Sequence, residues 1–186
     1  MSSRSLALAT LRQNPGLEGT LTSWQARPRL NFTDPEAPGV ERGGLTHLDG
    51  PARVEAVVRL LALHPQWKCA WIEETLSAYP PGFAQRGVRL ENLLFVEAGA
   101  HFVWALTEAV RGQVFPLVAA ASGLPDALAL RRLQLAAERA GCAVLLAAPL
   151  PPEAWPVRTR LWCGWRGATL TVSEAAMPKP IFKAAP

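Results

Sequence analysis

Four stretches of this chain carry no charged side chain and recur between segments of helical rhythm: Cys69-Ala70-Trp71-Ile72, Leu93-Leu94-Phe95-Val96, 117–121 and 143–148. A strand that is apolar on both faces has to be covered on both faces, which a chain achieves by crossing over with helices between parallel strands. The pattern therefore predicts an α/β fold with a mainly parallel central sheet and helices on either side. Leu45-Thr46-His47-Leu48 opens the series as a short strand, and Asp49-Gly50-Pro51 follows as a turn with proline placed to start a helix. Over 52–64, Val54, Val57, Val58 and Leu61 form a helical stripe with Arg53 and Arg59 off it, so an amphipathic helix is expected to end before Pro65. After the Tyr79-Pro80-Pro81-Gly82 break a helical turn over 83–86 is expected. A helix over 101–111 turns Val103, Leu106 and Val110 inward and closes at Gly112. Another over 127–140 has Asp126 as N-cap and Gly141 as stop.

Both ends read differently. Residues 1–44 hold Pro15, Pro28, Pro35 and Pro38, so they are read as an N-terminal arm with one short helix over 5–13. Such an arm either docks loosely or packs on a neighbouring copy, and the sequence leaves both open. The core is set at 45–176 and a flexible tail at 177–186. After the proline-rich break at 149–156 the pattern alternates, with Thr159, Leu161 and Cys163 set against Arg158, Arg160 and Trp162. A second run over 169–172 follows Arg166-Gly167, which predicts an antiparallel hairpin added to the sheet edge.

The 186 residues suffice for one domain with a full core. No apolar run approaches the length of a membrane span, and residues 1–14 do not read as a secretory signal. Cys69, Cys142 and Cys163 lie in no ligand or disulfide spacing, so neither a zinc site nor a disulfide framework is expected, and a cytoplasmic location fits. Lys and Arg number 19 against 15 Asp and Glu, and the only lysines are Lys68, Lys179 and Lys183. Chemistry that needs a phosphate-gripping lysine in the N-terminal half therefore has almost nothing to work with. The arginine excess permits contact with nucleic acid or an acidic partner and is equally an ordinary surface.

A phosphate-binding loop after the first strand needs the pattern G-x-x-x-x-G-K-[ST]. Counting from Gly50 through Pro51 and Arg53, Glu55 stands at the second glycine, Ala56 at the lysine and Val57 at the hydroxyl. The loop is degenerate. Only the helix N-terminus, with Arg53 to assist, could still attract an anion. Ser122 has no nucleophile elbow around it, and His47, His64 and His101 share no motif with a nucleophile, so they are read as surface or boundary residues. Glu73 and Glu74 are adjacent on a strand end and point apart, which reads as two solvated charges.

Several phrases together resemble the RecA-type ATPase core over roughly 39–150: "GLTHLDGP", "CAWIEETLSAYPPGFAQRGVRLENLLFVEAG" and "FVWALTEAVRGQVFPLVAAASGLP". The resemblance implies a RecA-like three-layer fold closing on the C-terminal antiparallel hairpin. Within it, "ALALRRLQLAAERAGCAVLLAAP" is most similar to the ImuA proteins, partners of a translesion polymerase cassette, with the SulA division inhibitors next. At the family's catalytic glutamate this chain has Thr75, with Glu73 and Glu74 close by. At the metal-orienting aspartate it has Ala121, and at the polar residue after the next strand Ala147-Ala148-Pro149. Loss of all these parts leaves no means of phosphoryl transfer, so the chain is read as a non-enzyme without cofactor or metal.

What the resemblance implies instead is a DNA-damage-response protein that binds RecA or translesion polymerase subunits. The alternatives are a SulA-like inhibitor of the tubulin-like division protein and a residual binder of single-stranded DNA or nucleotide. Seven tryptophans favour a surface role, because Trp and Arg anchor protein interfaces and also stack on bases. The candidate partner surfaces are Arg131, Arg132 and Arg139 on one helix, and a Trp162, Trp165 and Arg166 cluster on the hairpin with Trp155 close by. Trp71 and Trp104 are assigned to the core.

Overall fold

The computed structural model describes residues 29–30, 38–123, 125–148, 157 and 159–175. The helix expected over 5–13, the break over 149–156 with Trp155, Arg158 and the tail over 177–186 lie outside the described residues.

Seven strands form one sheet: β3 (Gly44–Asp49), β4 (Cys69–Glu73), β5 (Leu93–Glu97), β6 (Leu117–Ala120), β7 (Ala143–Leu146), β8 (Thr159–Arg166) and β9 (Thr169–Glu174), in the order β5-β4-β6-β7-β3-β8-β9. All neighbours pair in parallel except β8 and β9, which form the expected antiparallel hairpin. The hairpin extends the parallel sheet at its β3 edge, as expected. Its first strand is an inner strand, pairing in parallel with β3 through His47↔Arg160 and Asp49↔Trp162. That position buries Arg160, which alternation alone assigns to the outside. Upstream, β1 (Arg29–Leu30) and β2 (Val40–Glu41) make a separate antiparallel pair, and Val40 of the expected arm is packed in the core.

The crossover helices are α1 (Arg53–Leu63), the short α2 (Pro80–Ala84), α3 (Phe102–Arg111) and α4 (Ala127–Ala140). Alternate residues of each strand feed two separate cores, as a doubly covered sheet requires. Leu48, Trp71, Ala119 and Leu145 meet α1 and α2 on one face. Ala70, Ile72, Val118 and Val144 meet α3 and α4 on the other. α4 follows the sequence signals closely: Asp126 Oδ1 accepts from Ala129 N at 2.7 Å, and Gly141 closes the helix with φ +63°.

The expected stripes shift in two helices. α1 buries Ala56, Val57, Val58, Leu60 and Leu61, while Val54 is exposed at the helix start. α3 buries Phe102, Leu106 and Val110, leaving Val103 outside and Trp104, assigned to the core, 66% exposed. Ala56 and Leu60 in α1, and Phe102 in α3, complete the inward arc and turn it away from the valine. Trp71 is buried as expected, edge-on to Phe83, which meets Phe95 in the same way. No helix among the described residues is long and apolar enough to cross a membrane.

Candidate functional site

Open parallel sheets hold ligands at the carboxyl ends of their strands. Here the first such place is the β3–α1 turn, only Gly50, Pro51 and Ala52 long. A phosphate cradle keeps its backbone N–H groups unpaired and converging. In this turn they are engaged by the chain itself. Gly50 N donates to Asp49 Oδ1 at 2.7 Å, Ala52 N to the Cys163 carbonyl at 3.1 Å and Arg53 N to the Gly50 carbonyl at 3.4 Å. Gly50 has φ +90°, and a Cβ there would strike the Cys163 carbonyl and lie 3.2 Å from Cδ2 of Trp162. Strand β8 and its indole therefore lie against the turn.

The helix starts at Arg53, directly after the three-residue turn. Ala56 and Val57 are buried against the sheet. Glu55 is half-buried, accepting from Arg59 Nε at 3.1 Å and Arg86 Nε at 2.5 Å, so it ties α1 to the segment that follows α2. Arg53 is occupied as well, donating from Nε to the Ala147 carbonyl at 2.9 Å and from a terminal nitrogen to the Gly50 carbonyl at 3.2 Å. His47, expected near the surface, is buried, and its Nε2 makes a 2.9 Å bond with the Ala148 carbonyl. Burial holds its proton affinity below the ordinary imidazole value, assisted by Arg160 and Arg53 and opposed by the carbonyl bond and Asp49.

At the end of β4 the two glutamates part company. Glu73 is buried, not solvated: its carboxylate accepts from Ser77 N at 2.7 Å, Ser77 Oγ at 2.8 Å and Ala78 N at 3.0 Å. Three donors make it a clamp for the loop that enters α2, the kind of compensation a buried carboxylate requires. Glu74 is exposed; its N–H donates to Ser122 Oγ at 2.7 Å and its carboxylate lies over Gly123. Thr75 is exposed, and Ala121 N donates to the Ile72 carbonyl at 3.1 Å. Among the described residues no group of three or more His, Cys, Asp or Glu could hold a metal ion. The three cysteines are buried, and burial pushes the thiols of Cys142 and Cys163 up to about 12.

The hairpin residues do not form one cluster. Trp162 shares a face of β8 with Gly164 and covers Gly50, whereas Trp165 points to the opposite face, its ring 5.7 Å from the Arg59 guanidinium. Arg166 is exposed at the hairpin tip. On α4, Arg132 and Arg139 are exposed and line one groove with Arg111 of α3; Arg131 is half-buried and lies outside that groove. Sequence reasoning gave Arg111 no role and placed His47 and Arg160, both buried, at or near the surface. For the pair, the available signal was two polar residues inside strands of otherwise apolar context.

No protein-family model and no curated protein matches the chain. Among solved structures 90 chains resemble it. One is the crystal structure of the RadB recombinase, with a TM-score of 0.50 at 14% identity, over 67% of this chain and 76% of that one. Such a likeness is one of fold: the chain has a RecA-like fold.

Proposed function

We propose that this chain is a non-catalytic RecA-like protein of the DNA-damage response, of the ImuA type, which binds RecA or a translesion polymerase complex. One observation carries the non-catalytic part. The turn that would cradle a triphosphate has its amides, its glycine face and its nearest arginine engaged by the protein's own groups. A phosphate entering there would have to break those bonds and meet the Asp49 carboxylate. With the turn closed, the remaining resource is surface, and the exposed arginines of α4 are the first place to look.

The test is capture by the tagged full chain from DNA-damaged cells, with ATP hydrolysis measured on the same preparation. RecA or translesion polymerase subunits are expected among the captured proteins, weakened by charge reversal at Arg131 and Arg132, and no hydrolysis. Metal-dependent hydrolysis abolished by a substitution at Gly50 would overturn the non-catalytic reading. Capture of the tubulin-like division protein, with filamentous cells on overexpression, would replace the partner by the SulA-type one.

A further inference from the structure

Helices α3 and α4 pack side by side on one face of the sheet, and the outer groove between them encloses about 290 Å³. Its walls are Arg111 and Gln113 from the end of α3, and Arg132, Leu135, Ala136 and Arg139 from α4. Positions 128, 132, 135 and 139 share one helical face, so Leu128, Arg132, Leu135 and Arg139 form a stripe that alternates apolar and cationic side chains. Leu128 is 60% exposed and Leu135 38%. A basic residue in a last helical turn is ordinary, because it offsets the C-terminal dipole, and this accounts for Arg111 and Arg139. It does not account for Arg132 in mid-helix, nor for the two leucines left in water beside it. Arg111 pairs with Glu108 at 3.3 Å on the open surface, and among the described residues Arg132 and Arg139 have no carboxylate partner.

We infer that this groove docks an acidic amphipathic helix of a partner protein. The inference rests on the reading that the chain works through its surfaces, and it adds where and by what chemistry. Ala136 on the floor lets a docked backbone come close, and the leucines supply the apolar contact that a helix in a groove needs. Arg132 and Arg139, two turns apart, are separated by about 10 Å along the axis. They match carboxylates seven residues apart on the docked helix, with apolar residues between them, while Arg111 closes from the opposite wall. A phosphodiester backbone would satisfy the arginines and leave the leucines in water, so the apolar half of the stripe favours protein over nucleic acid.

The experiment is selection from a displayed library of helical peptides of about 15 residues on the folded full chain, followed by binding of the selected peptides in solution. Enrichment of acidic pairs seven residues apart with leucines between them is expected. R132E/R139E should then weaken those peptides by about tenfold or more with thermal unfolding unchanged, and Leu135→Asp should do the same without altering charge on the arginines. No enrichment, enrichment of sequences without acidic pairs, or affinities unmoved in both variants would overturn the inference. So would an oligonucleotide that displaces the peptides and loses its own affinity in R132E/R139E alone. Peptide binding without capture of RecA or polymerase would sink the proposed function only; capture without peptide binding would sink the groove only.

Discussion

The carboxyl edge of the sheet around Gly50 and the outer groove between α3 and α4 treat their polar groups in opposite ways. At the edge, Arg53, His47, Asp49 and the turn amides are all partnered within the chain, and Trp162 covers the glycine. In the groove, Arg132 and Arg139 have no carboxylate partner among the described residues, and Leu135 and the neighbouring Leu128 are exposed. Satisfied polar groups stabilise a fold and offer a ligand little, because each new contact must displace an old one. Unsatisfied charge next to exposed apolar surface costs the fold little and offers a partner much. The polar groups of the β3–α1 turn thus serve the chain's own packing, whereas the α3–α4 groove turns two arginines and a leucine to solvent.

Mutation separates the two regions sharply. Gly50→Ala should have the largest effect, because the new Cβ strikes the Cys163 carbonyl at a φ of +90°. A loss of about 3 kcal/mol in denaturant unfolding is expected. The groove variant R132E/R139E should change the same measurement by less than about 0.5 kcal/mol. If Gly50→Ala unfolds like the wild type, the turn is looser than its bonds indicate and the contrast fails.

The strands were legible because an apolar run needs no partner to declare itself, and α4 because Asp126 and Gly141 mark its two ends. The closure of the β3–α1 turn was not. It depends on Cys163 and Trp162, which reach Gly50 only when β8 inserts beside β3, and that pairing leaves no local trace. The same insertion explains why Arg160 is inside. Val54 and Val103 were misplaced for another reason: spacing fixes the period of a helical stripe, but the choice among overlapping arcs is made by the sheet beneath. The arginines of α4 were visible as a set, whereas the groove that separates Arg132 and Arg139 from Arg131 required α3 as its second wall.

Glu73 tests whether the closed edge extends to β4. Glu73→Ala removes the acceptor of Ser77 N and Ala78 N and leaves a gap at a buried position. A loss of about 2 kcal/mol in stability is expected. Were Glu73 instead a poised catalytic carboxylate, its removal would leave stability unchanged or improve it, the behaviour of a residue kept for function at the expense of the fold.

The smallest effect is one of pH. His47 has its folded proton affinity held below the ordinary value of 6.5 by burial, so between that lowered value and 6.5 the unfolded chain binds more protons than the folded one. Its contribution to stability is therefore complete above 6.5 and is lost as the pH falls through the folded value. Unfolding free energies measured from about pH 8 down to about pH 5 should decline, and the decline should be shallower in His47→Gln. His64, whose affinity burial also lowers, adds a slope that the substitution leaves in place. Because Trp162 lies over Gly50 on the strand that pairs with β3 through His47↔Arg160, its fluorescence should report the acid loosening before the whole chain unfolds, while peptide affinity in the α3–α4 groove should stay unchanged. A slope identical in the wild type and His47→Gln would mean that the buried histidine does not couple the edge to protons, and with it the tight closure of that edge would be lost.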